Sequence, residues 1–148
     1  MKVYKFDGAS VNDASGVRNL KEIVACAGDD LMVVISAMGK TTNALERVVA
    51  ALAQKDEATA DNEWLAVLDY HVHLAMELGL KPNEDIRFPV MPEYDHTCSY
   101  DQNYDQIVSQ GEILSTQIVA VYLLKSGIRT EWWNMPKLLR TDNTFREA

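Results

Sequence analysis

Lys5 stands at the end of a short apolar segment, KVYKF, and is followed by Asp7-Gly8-Ala9-Ser10. A lysine at the carboxyl end of a parallel strand points towards the crevice in which α/β folds bind ligands. Small residues after it let backbone N–H groups approach a phosphate, and a helix beyond them offers its positive end. Lys5 with Gly8, Ala9 and Ser10 is in principle a phosphate-binding arrangement. The same residues also read as a solvated strand-end charge and a plain turn, because short glycine patterns are weak signals.

A second turn reads Ser36-Ala37-Met38-Gly39-Lys40-Thr41-Thr42-Asn43. Gly39-Lys40-Thr41 resembles the end of a P-loop, but that loop needs a glycine five positions earlier, where Val34 stands. What remains is a strand-end serine, a glycine turn and a threonine-rich helix start, which suit a small polar ligand. Thr41 or Thr42 could equally serve only to cap the helix. A third segment, Ser109-Gln110-Gly111-Glu112-Ile113-Leu114-Ser115-Thr116, places a glycine inside a helical pattern. Glycine there costs about 1 kcal/mol relative to alanine, so Gly111 points to the close approach of another group. Glu112 could accept hydrogen bonds from an ammonium group, or be an ordinary surface carboxylate.

Other reactive residue types form no constellation. His71 and His73 are two apart on a helical segment and face different sides. His96 and Cys98 could be half a zinc site, but structural zinc wants four ligands and no second pair is present. Cys26 and Cys98 form no CxxC pair and are expected to be thiols. Ser15, Ser109 and Ser115 lack His and Asp partners in a recognisable order, which leaves a hydrolase without support. Trp132 and Trp133 fit a strand's core and edge better than a stacking platform.

The elements that must position the three segments follow from periodicity. KVYKF (2–6) reads as a strand, followed by a helix from Asn12 or Asp13 to about Ala27 with Val17, Leu20, Val24 and Ala27 on one face. LMVVIS (31–36) lacks alternation and is rich in branched residues, so it reads as a fully buried strand. Strand, helix and strand make a βαβ unit with parallel pairing. A helix follows with Leu45, Val48, Val49 and Leu52 inward, then a polar break at 54–62. The next helix spans about 63–78 and is expected to bury Leu65, Leu68, Val72 and Met76. Residues 81–100 carry Pro82, Pro89 and Pro92 and read as irregular. A long helix from about Tyr104 to Lys125 turns Ile107, Leu114, Ile118 and Val121 inward, IRTEWW (128–133) reads as a strand, and the tail as a short strand and loop. The fold class is α/β: a three-layer α/β/α sandwich with a mainly parallel sheet, in one partial domain.

With 148 residues and 47% hydrophobic content, the chain is long and apolar enough for one core. The net charge of −8 makes nucleic acid and anionic membrane surfaces unfavourable partners. The amino-terminal segment lacks a signal peptide's apolar core, because Lys5 and Asp7 interrupt it, so a cytoplasmic location is expected.

KFDGASV, VVISAMGKTTNAL, QIVSQGEILSTQIVAVYL and GIRTEWWNMPKLLRTDNTFREA occur in the order found in aspartate kinases, over most of the chain except about 55–100. On these motifs the sequence resembles the amino-terminal part of an aspartate kinase catalytic domain, within the amino-acid kinases. The resemblance implies transfer of the γ-phosphoryl of ATP, with Mg2+, to the β-carboxylate of L-aspartate, on the way to lysine, threonine and methionine. It implies that Lys5 neutralises the transferring phosphoryl group, which in phosphoryl transfer is a large part of catalysis. It further implies that Gly8, Ala9 and Ser10 cradle phosphate, that Ser36 and Thr42 line the aspartate site, and that Glu112 receives the α-ammonium group.

Three departures matter. The family's turn reads Lys-Phe-Gly-Gly, and Asp7 replaces the first glycine. A carboxylate about 4 Å from a phosphate charge costs roughly 4 kcal/mol at an effective dielectric of 20. Asp7 could also disfavour a backbone angle that glycine adopts easily, or pair with Lys5. At Asn134-Met135-Pro136 the family has Asp-x-Arg, and Pro136 can neither clamp a carboxylate nor donate from its backbone. Finally, the segments that hold most of the ATP in the family lie beyond the part matched here. The expectation is therefore a family member that is not competent alone, in need of a carboxyl-terminal half or self-associating through an exposed sheet edge or face. A non-catalytic aspartate-binding or assembly module, or a remnant without ligand, is the alternative.

Overall fold

A computed structural model describes the whole chain except Asp29, Arg140, Thr141, Asn143, Glu147 and Ala148. β1 (Lys2–Phe6) and β2 (Leu31–Ile35) pair in parallel, with Lys2 opposite Leu31 and Phe6 opposite Ile35. Between them runs α1 (Ala14–Ala27). Asp13 starts it by accepting the Gly16 N–H at 2.7 Å, and Gly28, at φ 79°, ends it. The βαβ reading and the face carrying Val17, Leu20 and Val24 hold as expected.

Next come α2 (Thr41–Ala53) and α3 (Glu57–Glu77). The polar break between them is shorter than the sequence suggests. Asp56 caps α3 through the Thr59 amide, so the helix begins inside the polar stretch. The buried stripe of α3 is also rotated. Trp64, Val67, His71, Leu74 and Ala75 face inward, while Leu65 and Met76 are 57% and 59% exposed. Following the largest aliphatic residues put the stripe one residue, about 100° of helix, away from its true position. The true stripe includes a histidine and an alanine, which carry little hydrophobic signal. Arg47 of α2 grips Glu63 of α3 through two hydrogen bonds of 2.9 and 2.8 Å.

α4 (Tyr100–Lys125) is the central helix, capped by Ser99 and followed by Gly127 at φ 85°. It is long and apolar enough to cross a membrane, yet its buried residues belong to two core clusters. One cluster joins Val17 and Leu20 of α1, Ile35, Leu74 of α3 and Ile118 of α4. The other joins Leu45 and Val48 of α2, Trp64 of α3, and Ile107 and Leu114 of α4. Residues 128–133 are not a strand as expected, and the described start of the tail forms α5 (Met135–Leu138) instead of a strand. The β-branched and aromatic pattern there finds no neighbouring strand among the described residues. Half of the rest of the predicted tail, 139–148, falls on residues outside those described.

β2 also departs from the fully buried strand expected of it. Leu31, Val33 and Ile35 pack on the helices, but Val34 is 42% exposed, as is Val3 at 57% on the same open face of the sheet. The two strands are the only sheet among the described residues, and Val3, Lys5 and Val34 on its second face are exposed.

Candidate functional site

The three segments singled out by sequence converge at the carboxyl end of the strand pair. The Ser36 N–H donates to the Phe6 carbonyl at 3.1 Å, extending the parallel ladder one residue beyond β2. The Gly39 N–H donates to the Gly8 carbonyl at 2.9 Å, locking the second turn to the first. Gly8 must be glycine for steric reasons: a Cβ there would lie 2.3 Å from the Ala37 carbonyl oxygen. Its φ is not in the left-handed region, so this need comes from close approach alone.

α4 closes the site from the helical side. A Cβ on Gly111 would lie 3.0 Å from the Ala37 Cβ and 3.1 Å from the Thr41 methyl, which accounts for the glycine inside the helix. Glu112 follows, partly buried. Burial pushes its carboxyl above the usual carboxylate range, and the nearby backbone of Glu112 itself and of Ala37 partly offsets the rise. Ser115, fully buried, accepts the Met38 N–H at 2.9 Å and donates to the Gly111 carbonyl at 2.8 Å. From α3, the Tyr70 hydroxyl donates to the Asn12 carbonyl at 2.6 Å and lies against Gly39.

The predicted residues thus divide. Gly8 is in direct contact with the turn at 36–42, and Gly111, the neighbour of Glu112, packs on the same turn. Ser36 and Thr42 are partly buried within that turn. The capping role for Thr41 or Thr42 is not realised: Lys40 occupies the N-cap of α2 without a side-chain cap, and the Thr41 hydroxyl is buried with no partner. Lys5 is exposed opposite Val34 on the open sheet face, and no ion pair joins it to Asp7 among the described residues. Ala9 and Ser10 are exposed on the first turn.

Asp7 behaves differently from the sequence expectation. Its φ is not positive, so it needs no glycine-like angle. Its carboxylate accepts the Ser10 N–H at 2.8 Å and the Ser10 hydroxyl at 2.7 Å. Those bonds hold its pKa below the ordinary aspartate value. Both Ser10 donors of the first turn are therefore already engaged by Asp7.

Sequence reasoning did not assign functional weight to Tyr70 or Ser115. Tyr70 gave no local signal, because its partner Asn12 lies 58 residues away. Ser115 stands in a quoted motif, three residues after Glu112, and that helical spacing was the available clue. Among the described residues no group of three or more His, Cys, Asp or Glu is placed to hold a metal ion, and His96 with Cys98 gains no further ligands.

The fold and this junction of two strand-end turns with a helix define an α/β domain of the amino acid kinase class. A sequence profile of the amino acid kinase family matches residues 1–146, and the chain belongs to that family. Within it, the chain is similar to lysine-sensitive aspartokinase 3 of Escherichia coli, 28% identical over 99% of this chain and 33% of that protein. It is 27% identical to the chloroplastic aspartokinase 1 of Arabidopsis thaliana over 89% of this chain and 25% of that protein. The crystal structure of E. coli aspartokinase III in complex with aspartate and ADP superposes with a TM-score of 0.81 at 25% identity, over 98% of this chain and 33% of that one. The lysine- and aspartate-bound T-state of the same enzyme shares the fold at a TM-score of 0.78. The chain spans about a third of the length of these E. coli relatives.

Proposed function

We propose that this chain forms the aspartate-binding side of an aspartokinase catalytic unit. The observation that carries the reading is Glu112, a partly buried carboxyl held beside the Ala37 backbone at the mouth of the 36–42 turn. A carboxylate in such a place favours an ammonium partner, because the ion pair offsets the cost of its burial. Ser36 and Thr42 supply neutral hydrogen-bonding groups for the carboxylates of L-aspartate. Lys5, exposed at the end of β1, is the cation that would neutralise a phosphoryl group brought to this side.

The nucleotide side is different. ATP and Mg2+ find no complete donor set among the described residues: the Ser10 donors are engaged by Asp7, and no acidic cluster can grip a cation. Phosphoryl transfer is expected only where the remainder of the relatives' length is supplied, in the same polypeptide or by a companion chain.

Calorimetry with L-aspartate and with succinate, which lacks the ammonium group, tests the reading. Aspartate is expected to bind, succinate not, and Glu112→Gln to abolish the difference. Equal binding of both ligands, or none of aspartate, would sink it. A second reading, an assembly module, is favoured by the open sheet face at Val3 and Val34. It expects a homo-oligomer that Val34→Lys dissociates, and a monomer by light scattering at high concentration would exclude it.

A further inference from the structure

We propose that Ser115 is a positioning residue for this site, clamping the 36–39 turn in register with the helix that carries Glu112. The inference rests on the aspartate-side reading for its ligand, but its geometry is independent of it.

Two neighbouring backbone N–H groups of the turn go to two different places. Met38 donates to the Ser115 hydroxyl, and Gly39 donates to the Gly8 carbonyl. The Met38 bond is wholly buried: both Ser115 and Met38 are 0% exposed. No water can replace a lost partner there without a cavity to hold it. Ser115 lies three residues after Glu112 and therefore on the same side of α4. Its hydroxyl also donates to the Gly111 carbonyl at 2.8 Å, which fixes the hydroxyl rotor so that its lone pair faces Met38. One oxygen thereby ties the residue before Glu112 to the residue after Ala37. The spacing between the Glu112 carboxyl and Ser36 is set by that tie, together with the close contact that Gly111 permits. A serine elsewhere on the helix does not do this: Ser109 bonds only to Gln106 within α4.

The test compares Ser115→Ala, the near-isosteric Ser115→Cys and Ser109→Ala, using amide hydrogen exchange resolved by residue together with aspartate affinity. Both Ser115 variants are expected to speed exchange at Ala37, Met38 and Gly39 by about tenfold beyond any change elsewhere in the chain. Aspartate affinity is expected to fall about tenfold, with Ser115→Cys the milder and Ser109→Ala without effect on either readout. A rise in exchange spread evenly over the fold would show a merely structural role and overturn the proposal. So would a loosened turn with unchanged aspartate affinity. A wild-type chain that binds no aspartate overturns the proposed function, and the exchange pattern still decides whether the clamp exists.

Discussion

Replacing Gly8 by alanine adds one methyl group at the point where the two strand-end turns meet. The new Cβ would sit 2.3 Å from the Ala37 carbonyl oxygen and 3.5 Å from its carbon. That is about 1 Å inside ordinary contact distance. The obstacle is backbone, which cannot swing aside as a flexible side chain would. The turns must part, and the Gly39 N–H to Gly8 carbonyl bond, now 2.9 Å, lengthens beyond hydrogen-bonding range. Overpacking of this kind costs about 1–3 kcal/mol, and the lost hydrogen bond about 0.5–1.5 kcal/mol. Against this, alanine restricts the unfolded chain and returns about 0.4–1 kcal/mol. The net expectation is a destabilisation of about 2–3 kcal/mol.

With a urea slope of about 1–3 kcal/mol/M, the unfolding midpoint should fall by about 1–2 M. Fluorescence of the buried Trp64 reports the transition. Gly28→Ala is the control. Gly28 has φ 79° and ψ −168°, a region essentially reserved for glycine, but nothing within 4 Å of a new Cβ, so its cost is backbone strain alone, about 1–3 kcal/mol. Gly8 lies outside the left-handed region, so a plain turn residue there would accept alanine with little change. A Gly8→Ala midpoint within error of wild type would refute the close-approach argument and return Gly8 to the simple turn of the alternative reading.

Glu112 has a raised pKa through burial. The native state holds a proton over a window in which the unfolded chain has released it, so stability falls as pH rises from the ordinary carboxylate range through the folded pKa. Glu112→Gln should remove that slope in pH-dependent urea titrations while aspartate binding is lost, and an unchanged slope would contradict the burial argument. His71 shifts the other way: buried, with Nδ1 bonded to the Val67 carbonyl at 2.7 Å and Nε2 without a partner, its pKa lies below 6.5. The unfolded chain protonates first, so stability should fall as pH drops below about 6.5, and His71→Leu should flatten that limb. Asp7→Gly should release the Ser10 hydroxyl and leave the Ser10 N–H only its 3.1 Å bond to the carbonyl of residue 7, allowing pyrophosphate to shift the Ser10 amide resonance, which wild type should not show. Equal shifts in both proteins would mean that Asp7 does not occupy the phosphate turn.

How far these features were legible follows from the range of the forces behind them. The βαβ start was readable, because the cap at Asp13, the stripe through Val17, Leu20 and Val24, and the stop at Gly28 are all local. Gly111 was readable as a close approach, since glycine inside a long helix needs a reason. What it approaches was not readable, because Ala37 and Thr41 are more than sixty residues away. The α3 stripe was misjudged because tertiary packing chose Ala60, Trp64 and His71 over the larger aliphatic side of Leu65 and Met76. The strand expected at 128–133 failed for a related reason: strand propensity there depends on a partner strand, and none stands beside it among the described residues.

Asp7 shows why the two halves of the candidate site have to be argued separately. From the sequence, its charge was an electrostatic obstacle to phosphate, with Lys5 as its natural partner. In the fold its carboxylate turns to Ser10 and takes up two donors at 2.8 and 2.7 Å. The obstacle is thus occupancy as well as repulsion, and Lys5 is left outside any ion pair among the described residues. On the other side, the Met38 amide is drawn to α4, where Ser115 fixes the turn while Ser36 and Thr42 stay free of capping duty. The two turns are thus braced by different side chains, Asp7 on the first and Ser115 on the second. A substitution at residue 7 should alter anion binding without disturbing aspartate binding, and one at residue 115 should do the reverse.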